Sequence, residues 1–310
     1  MEVVPAEDPE SPAMQVAMHR NAVKSSSTEN RARLFRKASA TIQFIMIRRD
    51  RLCNRILKTW LPLVFLCAVS KLAAQDPFEI HVYEYEPMKL GEYSLEAHLN
   101  MIAQGTAVRD GTLLPTARQT HLTLEPTVGL SPNFAVGMMF LNAWQPGYVP
   151  QFAGWRVLPH VYLPESWDLP IRVGFVAEFS FQKARYEENS RRVELRPILD
   201  KEFQHWQIVF NPVFERALHG PGTRHGWNFE PALLWRWKRR TFSPSLEYYG
   251  EIESITARPH GQPETHQMFL GGDWDVKPGF SVNLGLGFDL SDRGPGAILK
   301  SRFEWHWGHA

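Results

Sequence analysis

Ionisable residues recur at alternate positions through much of the chain, with acids and bases sharing the same parity. Glu125, Arg156, Arg172 and Glu178 lie in segments whose intervening residues are apolar, and so do Glu194, Arg196, Glu215 and Glu230. Arg236, Glu247, Arg302 and Glu304 continue the pattern toward the C-terminus. In an extended strand, residues two apart share a face, so such rows build one charged wall and one apolar wall. A charged wall can orient a solute in a polar channel, its arginines forking hydrogen bonds to a carboxylate. It can equally cross-link into a network that fills an interior, and both readings stay open here.

Histidine is the next residue type with chemistry. His219 and His225 share one connecting segment, and His260 and His266 flank the next. A zinc or copper site needs three or four nitrogen or oxygen ligands to converge. Scattered loop histidines are ordinarily solvated, so no metal site is expected. His81, Glu84 and Glu86 near the start of the folded chain invite the same question and the same answer. Ser180 and Ser190 fall near the same end as His219 and His225, where a lipid-modifying barrel would carry a nucleophile and its base. No spacing singles out such a pair, and His219-Gly220-Pro221-Gly222 reads as a turn. No catalytic residue and no cofactor are expected.

These residues need elements to position them. The chain has 310 residues, 34 Lys+Arg against 33 Asp+Glu, 23 Pro and 21 Gly. Balanced charge gives no basic footprint for nucleic acid. No apolar run approaches the ~18 residues of a membrane helix. Residues 1–45 are polar and aperiodic, and read as disordered or as an upstream extension preceding a true start at Met46. Residues 46–74 read as a signal peptide: a basic stretch, the apolar WLPLVFLCAVS (60–70), and small residues before cleavage after Ala74. Both cysteines, Cys53 and Cys67, would leave with it. The exported part then holds 22 Lys and Arg against 27 Asp and Glu. Residues 75–91 read as a periplasmic N-terminal lead, flexible or plug-like.

Twelve segments of period-2 alternation follow: 92–103, 118–131, 133–144, 151–163, 168–182, 191–200, 204–216, 226–238, 241–253, 264–276, 279–291 and 297–308. In 279–291, Phe280, Val282, Leu284, Leu286, Phe288 and Leu290 share one face. Connections alternate between tight turns and longer loops, the asymmetry of an outer-membrane barrel. A secreted β-sandwich also alternates, but hides its apolar face between sheets. Here Trp144, Trp155, Trp206, Trp235, Trp237, Trp274, Trp305 and Trp307 gather toward strand ends, as in the aromatic girdles of membrane barrels. The fold expected over 92–308 is an all-β, antiparallel up-and-down transmembrane barrel of about 12 strands. Pro126, Pro159, Pro197, Pro212, Pro231 and Pro244 fall inside these strands and call for bulges or shifted strand ends.

The stretches DPFEIHVYEYEP (76–87), GEYSLEAHLN (91–100), THLTLEPTVGLS (120–131), YEENSRRVELRPILDKEF (186–203), NPVFERALHGPGT (211–223) and WNFEPALLWRW (227–237) resemble a family of bacterial outer-membrane β-barrel proteins, transporter-like and without an assigned activity. The likeness runs over about 76–308. It implies a bacterial outer-membrane location, outer-membrane lipid and the assembly machinery as partners, and no catalytic residues. More loosely, the chain looks like transporter-type barrels associated with pathways of aromatic-compound degradation. Gly308-His309-Ala310 after Trp307 depart from the terminal aromatic usual in such proteins. The function expected is passive passage of a small solute, anionic or aromatic. The alternatives are a barrel-wall lipid-modifying enzyme and a structural barrel with a filled lumen.

Overall fold

The computed structural model describes residues 76–252, 255, 264–291 and 296–308. The expected extension (1–45), signal peptide (46–74) and His260 lie outside the described residues.

Twelve strands form: β1 Tyr93–Gln104, β2 Thr120–Ser131, β3 Phe134–Trp144, β4 Gln151–Tyr162, β5 Arg172–Gln182, β6 Arg191–Glu202, β7 Trp206–His219, β8 Asn228–Trp237, β9 Phe242–Glu251, β10 Thr265–Lys277, β11 Phe280–Asp289 and β12 Ala297–Trp307. Each pairs antiparallel with its chain neighbours, and β12 pairs with β1 to close the ring. The order is up-and-down throughout; four of the five connections at one end are tight, while that between β4 and β5 spans 163–171 and is as long as several of the loops at the other end. Closure leaves no strand edge unpaired.

Alternation decides what faces where. In β2 the even-numbered Leu124 and Leu130 are exposed while Thr123, Glu125 and Thr127 are buried. Leu284, Leu286 and Phe288 of β11 are likewise exposed, opposite the buried Asn283 and Asp289. An exterior of exposed Leu, Phe and Trp around a buried polar interior is an inside-out arrangement stable only in lipid. At the short-turn end, Trp206 stacks on Trp235 and Trp237, Phe280 on Trp305 and Tyr93 on Trp307, giving an aromatic girdle across the β12–β1 closure.

β5 begins at Arg172, four residues later than the alternation suggests. Asp168 is left-handed (φ 48°) after a short 3₁₀ turn at Glu165–Trp167, so the chain cannot extend until it is past Pro170. The six prolines need neither bulges nor shifted ends. Each sits where one of its two ladders is interrupted or stops, while the other continues. Pro126 pairs with Leu95 but falls in a gap of the β2–β3 ladder; Pro159 pairs with Val136 but falls in a gap between β4 and β5. The β8–β9 ladder runs only between Pro244 and Pro231. A residue in an antiparallel ladder offers its N–H to one neighbour only, so one local gap accommodates the missing donor.

Of the two forms expected of the N-terminal lead, flexible or plug-like, the segment 76–90 takes the second. It runs through the interior, where Phe78, Ile80, Val82, Tyr83 and Tyr85 are all buried. Its partners come from strands around the whole ring: Asn100 of β1, Thr123 of β2, Arg156 of β4, Arg196 of β6, Asn211 of β7, Arg236 of β8 and Lys300 of β12. Only a position inside the ring touches all of these. The segment enters at the short-turn end, where the Gly91 N–H donates to the Gly129 carbonyl and the Gly129 N–H to the Glu92 carbonyl, each at 2.9 Å. Gly129 must lack a side chain, because a Cβ there would lie 2.1 Å from the Lys89 carbonyl oxygen.

Candidate functional site: a plugged lumen and its outer vestibule

The inner segment meets a wall whose ladders are fully used, so it cannot join as another strand. Its backbone polar groups still require partners, and side chains supply them. Thr123 Oγ1 donates to Phe78 O at 2.8 Å and Asn100 Nδ2 to Pro77 O at 2.9 Å. Tyr83 N–H donates to Asn211 Oδ1 at 2.8 Å, while Asn211 Nδ2 donates to Tyr83 O at 3.0 Å. Tyr85 N–H reaches Asp200 Oδ2 at 3.1 Å.

Ion pairs fix the segment along its length. Arg156 holds Asp76, Glu79 (2.8 Å) and Glu178 (3.2 Å). Arg192 bridges Asp76 (2.9 Å) and Glu215 (2.7 Å), and Arg196 bridges Glu79 (2.9 Å) and Glu194 (2.8 Å). Arg236 forks onto both oxygens of Glu84 and reaches Asp273 at 2.9 Å. Forked guanidinium–carboxylate pairs fix geometry as well as charge. Lys300 pairs with Glu247 at 2.6 Å and also donates to the Ile80 carbonyl.

Above the segment, toward the long loops, lies a cavity of about 1080 Å³. Asp76, Glu79 and His81 form part of its floor, and Glu215, Glu230 and Arg192 part of its wall. Ten carboxylates line it against four arginines, so the vestibule is acidic.

The twelve residues expected on the charged wall all project inward, but they do not form one surface. Glu194, Arg196, Glu215, Glu230 and Arg156 line the vestibule. Glu178 is buried against Arg156, and Glu247 against Lys300 and Tyr249, whose hydroxyl lies 2.5 Å away. Arg236 grips the inner segment. Arg172 sits at the short-turn rim on Asp200 and Glu202, with its side chain 30% exposed. Arg302 contacts Glu96 and, at 3.7 Å, Glu304, which is bonded to His306. Glu125 faces His98 from β2. The arginines expected to receive an anion are therefore already occupied by carboxylates.

The histidines expected as weak metal candidates do not converge. His219 Nδ1 bonds Ser190 Oγ at 2.9 Å, His266 Nδ1 bonds the Tyr248 hydroxyl at 2.7 Å, and His225 lines the vestibule. Ser190 and His219 do form the rim pair that no spacing revealed. Among the described residues no carboxylate lies within ion-pair reach of His219 to orient it. The residues that sequence reasoning passed over are Asn211, Asp200, Lys300 and His98. All obey the inward parity, and parity was the one available signal.

No family model matches the chain, and no curated protein matches it in sequence. Among solved structures, the fold is similar to that of an outer-membrane channel from Pseudomonas putida F1, at 12% identity, covering 74% of this chain and 100% of that one, with a TM-score of 0.51. It is also similar to the NanC porin, at 7% identity, covering 70% of this chain and 100% of that one, with a TM-score of 0.48. Fold and surface together define a closed antiparallel β-barrel of twelve strands with an apolar exterior.

Proposed function

We propose that the protein is an outer-membrane channel for the passive passage of a small solute, with the segment 76–90 as its gate. The observation that carries this reading is the vestibule of about 1080 Å³, which opens among the long loops and ends on a segment of the chain, not on the barrel wall. A purely structural barrel has no need of a charged cavity at one mouth. The acidic lining favours solutes carrying positive charge or hydrogen-bond donors, because field lines in a low-dielectric cleft concentrate the opposite sign. The paired arginines remove the basis for an anion preference. An enzymatic reading rests only on the exposed Ser190–His219 pair.

Planar-bilayer recording of the refolded barrel tests the proposal. The intact protein should conduct weakly or in brief openings, and deletion of residues 76–90 should give a larger, steady conductance that prefers cations in a salt gradient. Silent bilayers from both proteins, each correctly folded, would favour a filled structural barrel.

A further inference from the structure

We propose that Glu96, His98 and Glu125 bind one divalent transition-metal cation inside the barrel. Glu96 of β1 pairs in register with Glu125 of β2, and His98 stands two residues along on the same inward face. His98 Nε2 lies 3.3 Å from Glu96 Oε2 and 3.7 Å from Glu125 Oε2, and one ligand atom from each residue falls within 4.8 Å of the others. Ligands at about 2.0–2.2 Å from a tetrahedral ion stand roughly 3.3–3.6 Å apart, so little movement would close the set around a cation.

Two of the three atoms concerned are buried and unmatched, while the third, Glu96 Oε2, accepts from Arg302. His98 is 1% exposed and Glu125 2% exposed, and neither His98 Nε2 nor Glu125 Oε2 has a hydrogen-bond partner. Buried polar atoms are ordinarily satisfied, and a buried carboxylate calls for a cation. A protonated imidazole serving as that cation would close on its carboxylates to about 2.7–2.9 Å. Neither distance does so.

The surroundings fit an outer layer around such an ion. Arg302 Nη1 donates to Glu96 Oε2 at 3.1 Å and lies 2.8 Å from His81 Nε2. Arginine only donates, so His81 Nε2 accepts and the His81 proton sits on Nδ1. His81 is therefore outside the ligand set, as a contact orienting Glu96 through Arg302. One imidazole nitrogen and two carboxylate oxygens, without sulfur, suit zinc or manganese, and three protein ligands leave a fourth position open. This inference does not depend on conduction, since the site lies in the wall of the barrel and its readout is binding.

The test is calorimetric titration of zinc chloride into the chelator-treated, folded barrel in detergent. One ion should bind per barrel. His98→Gln and Glu125→Gln should each weaken binding at least tenfold, whereas His219→Ala with His266→Ala should leave it unchanged. Heat-dependent gel mobility establishes that each variant is folded. Zinc X-ray absorption of the unsubstituted protein needs no variant and should show a single imidazole among oxygen ligands. Absence of uptake by the unsubstituted barrel, a shell of several imidazoles, or binding that survives both ligand substitutions would overturn the assignment.

Discussion

Asn211 holds Tyr83 by both ends of its amide, accepting from the Tyr83 N–H and donating to the Tyr83 carbonyl, as a neighbouring strand would. The two residues are 128 positions apart. Asn211 is wholly buried, so the contact stands in for the ladder that a closed wall cannot offer.

Asn211→Ala should accordingly loosen the inner segment. It leaves a buried donor and a buried acceptor without partners, at about 1–3 kcal/mol apiece. Residues 75–310 carry no cysteine, so Ile80→Cys in a barrel expressed from residue 75 provides a unique probe at a buried position. Thiol labelling of Ile80→Cys should be slow alone and at least several-fold faster combined with Asn211→Ala. Equal rates would show that the segment is held elsewhere.

Arg156 and Arg172 should differ sharply when removed. Arg156→Ala strips a common, almost fully buried partner from Asp76, Glu79 and Glu178, and is expected to cost about 3–5 kcal/mol. Arg172→Ala acts at a rim with its side chain 30% exposed and should cost at most about 1 kcal/mol. Urea unfolding in detergent, followed by tryptophan fluorescence, measures both.

A charge on the outer face should be costly where one in the vestibule is not. Leu286→Arg faces lipid between Leu270 and Leu299 and should lose about 2–4 kcal/mol. Val213→Lys enters the vestibule beside its register partner Glu230 and should be tolerated. Comparable losses from the two, by the same unfolding assay, would mean that the inward and outward faces have been exchanged.

The barrel was legible in the sequence because its faces differ. One side of each strand meets lipid and the other a polar interior, so Phe280 through Leu290 print a period of two. The same rule placed Arg156, Glu178 and Glu194 inward. Parity carries no information about which charges meet, so an open charged channel and a cross-linked network read alike from the sequence, and the structure pairs each arginine with a carboxylate. The inner segment was harder to read. Phe78, Glu79, Ile80, His81 and Val82 alternate as a strand does, yet both of their faces are enclosed. Its partners are single residues such as Asn211 and Lys300, spread over more than two hundred positions, and no local pattern links them. The glutamates and histidine of β1 and β2 were hidden likewise, because Glu125 meets His98 across a strand pair and a long loop.

The ring of twelve strands encircles its own preceding segment, and an order of events in assembly is expected from this. The β12–β1 seam, sealed from Ala297–Gln104 to Trp307–Tyr93, stands directly beside the point where that segment turns inward at Gly91. Sealing the seam first would leave a charged strand to be drawn, end first, up a bore whose arginines already hold wall carboxylates. Laying the segment down first gives Arg156, Arg192, Arg196 and Arg236 the carboxylates of Asp76, Glu79 and Glu84 beside those of the wall before it closes over them. The segment is then a mandrel on which the cylinder is wound, and a chain lacking it should insert more slowly even if the finished wall is sound.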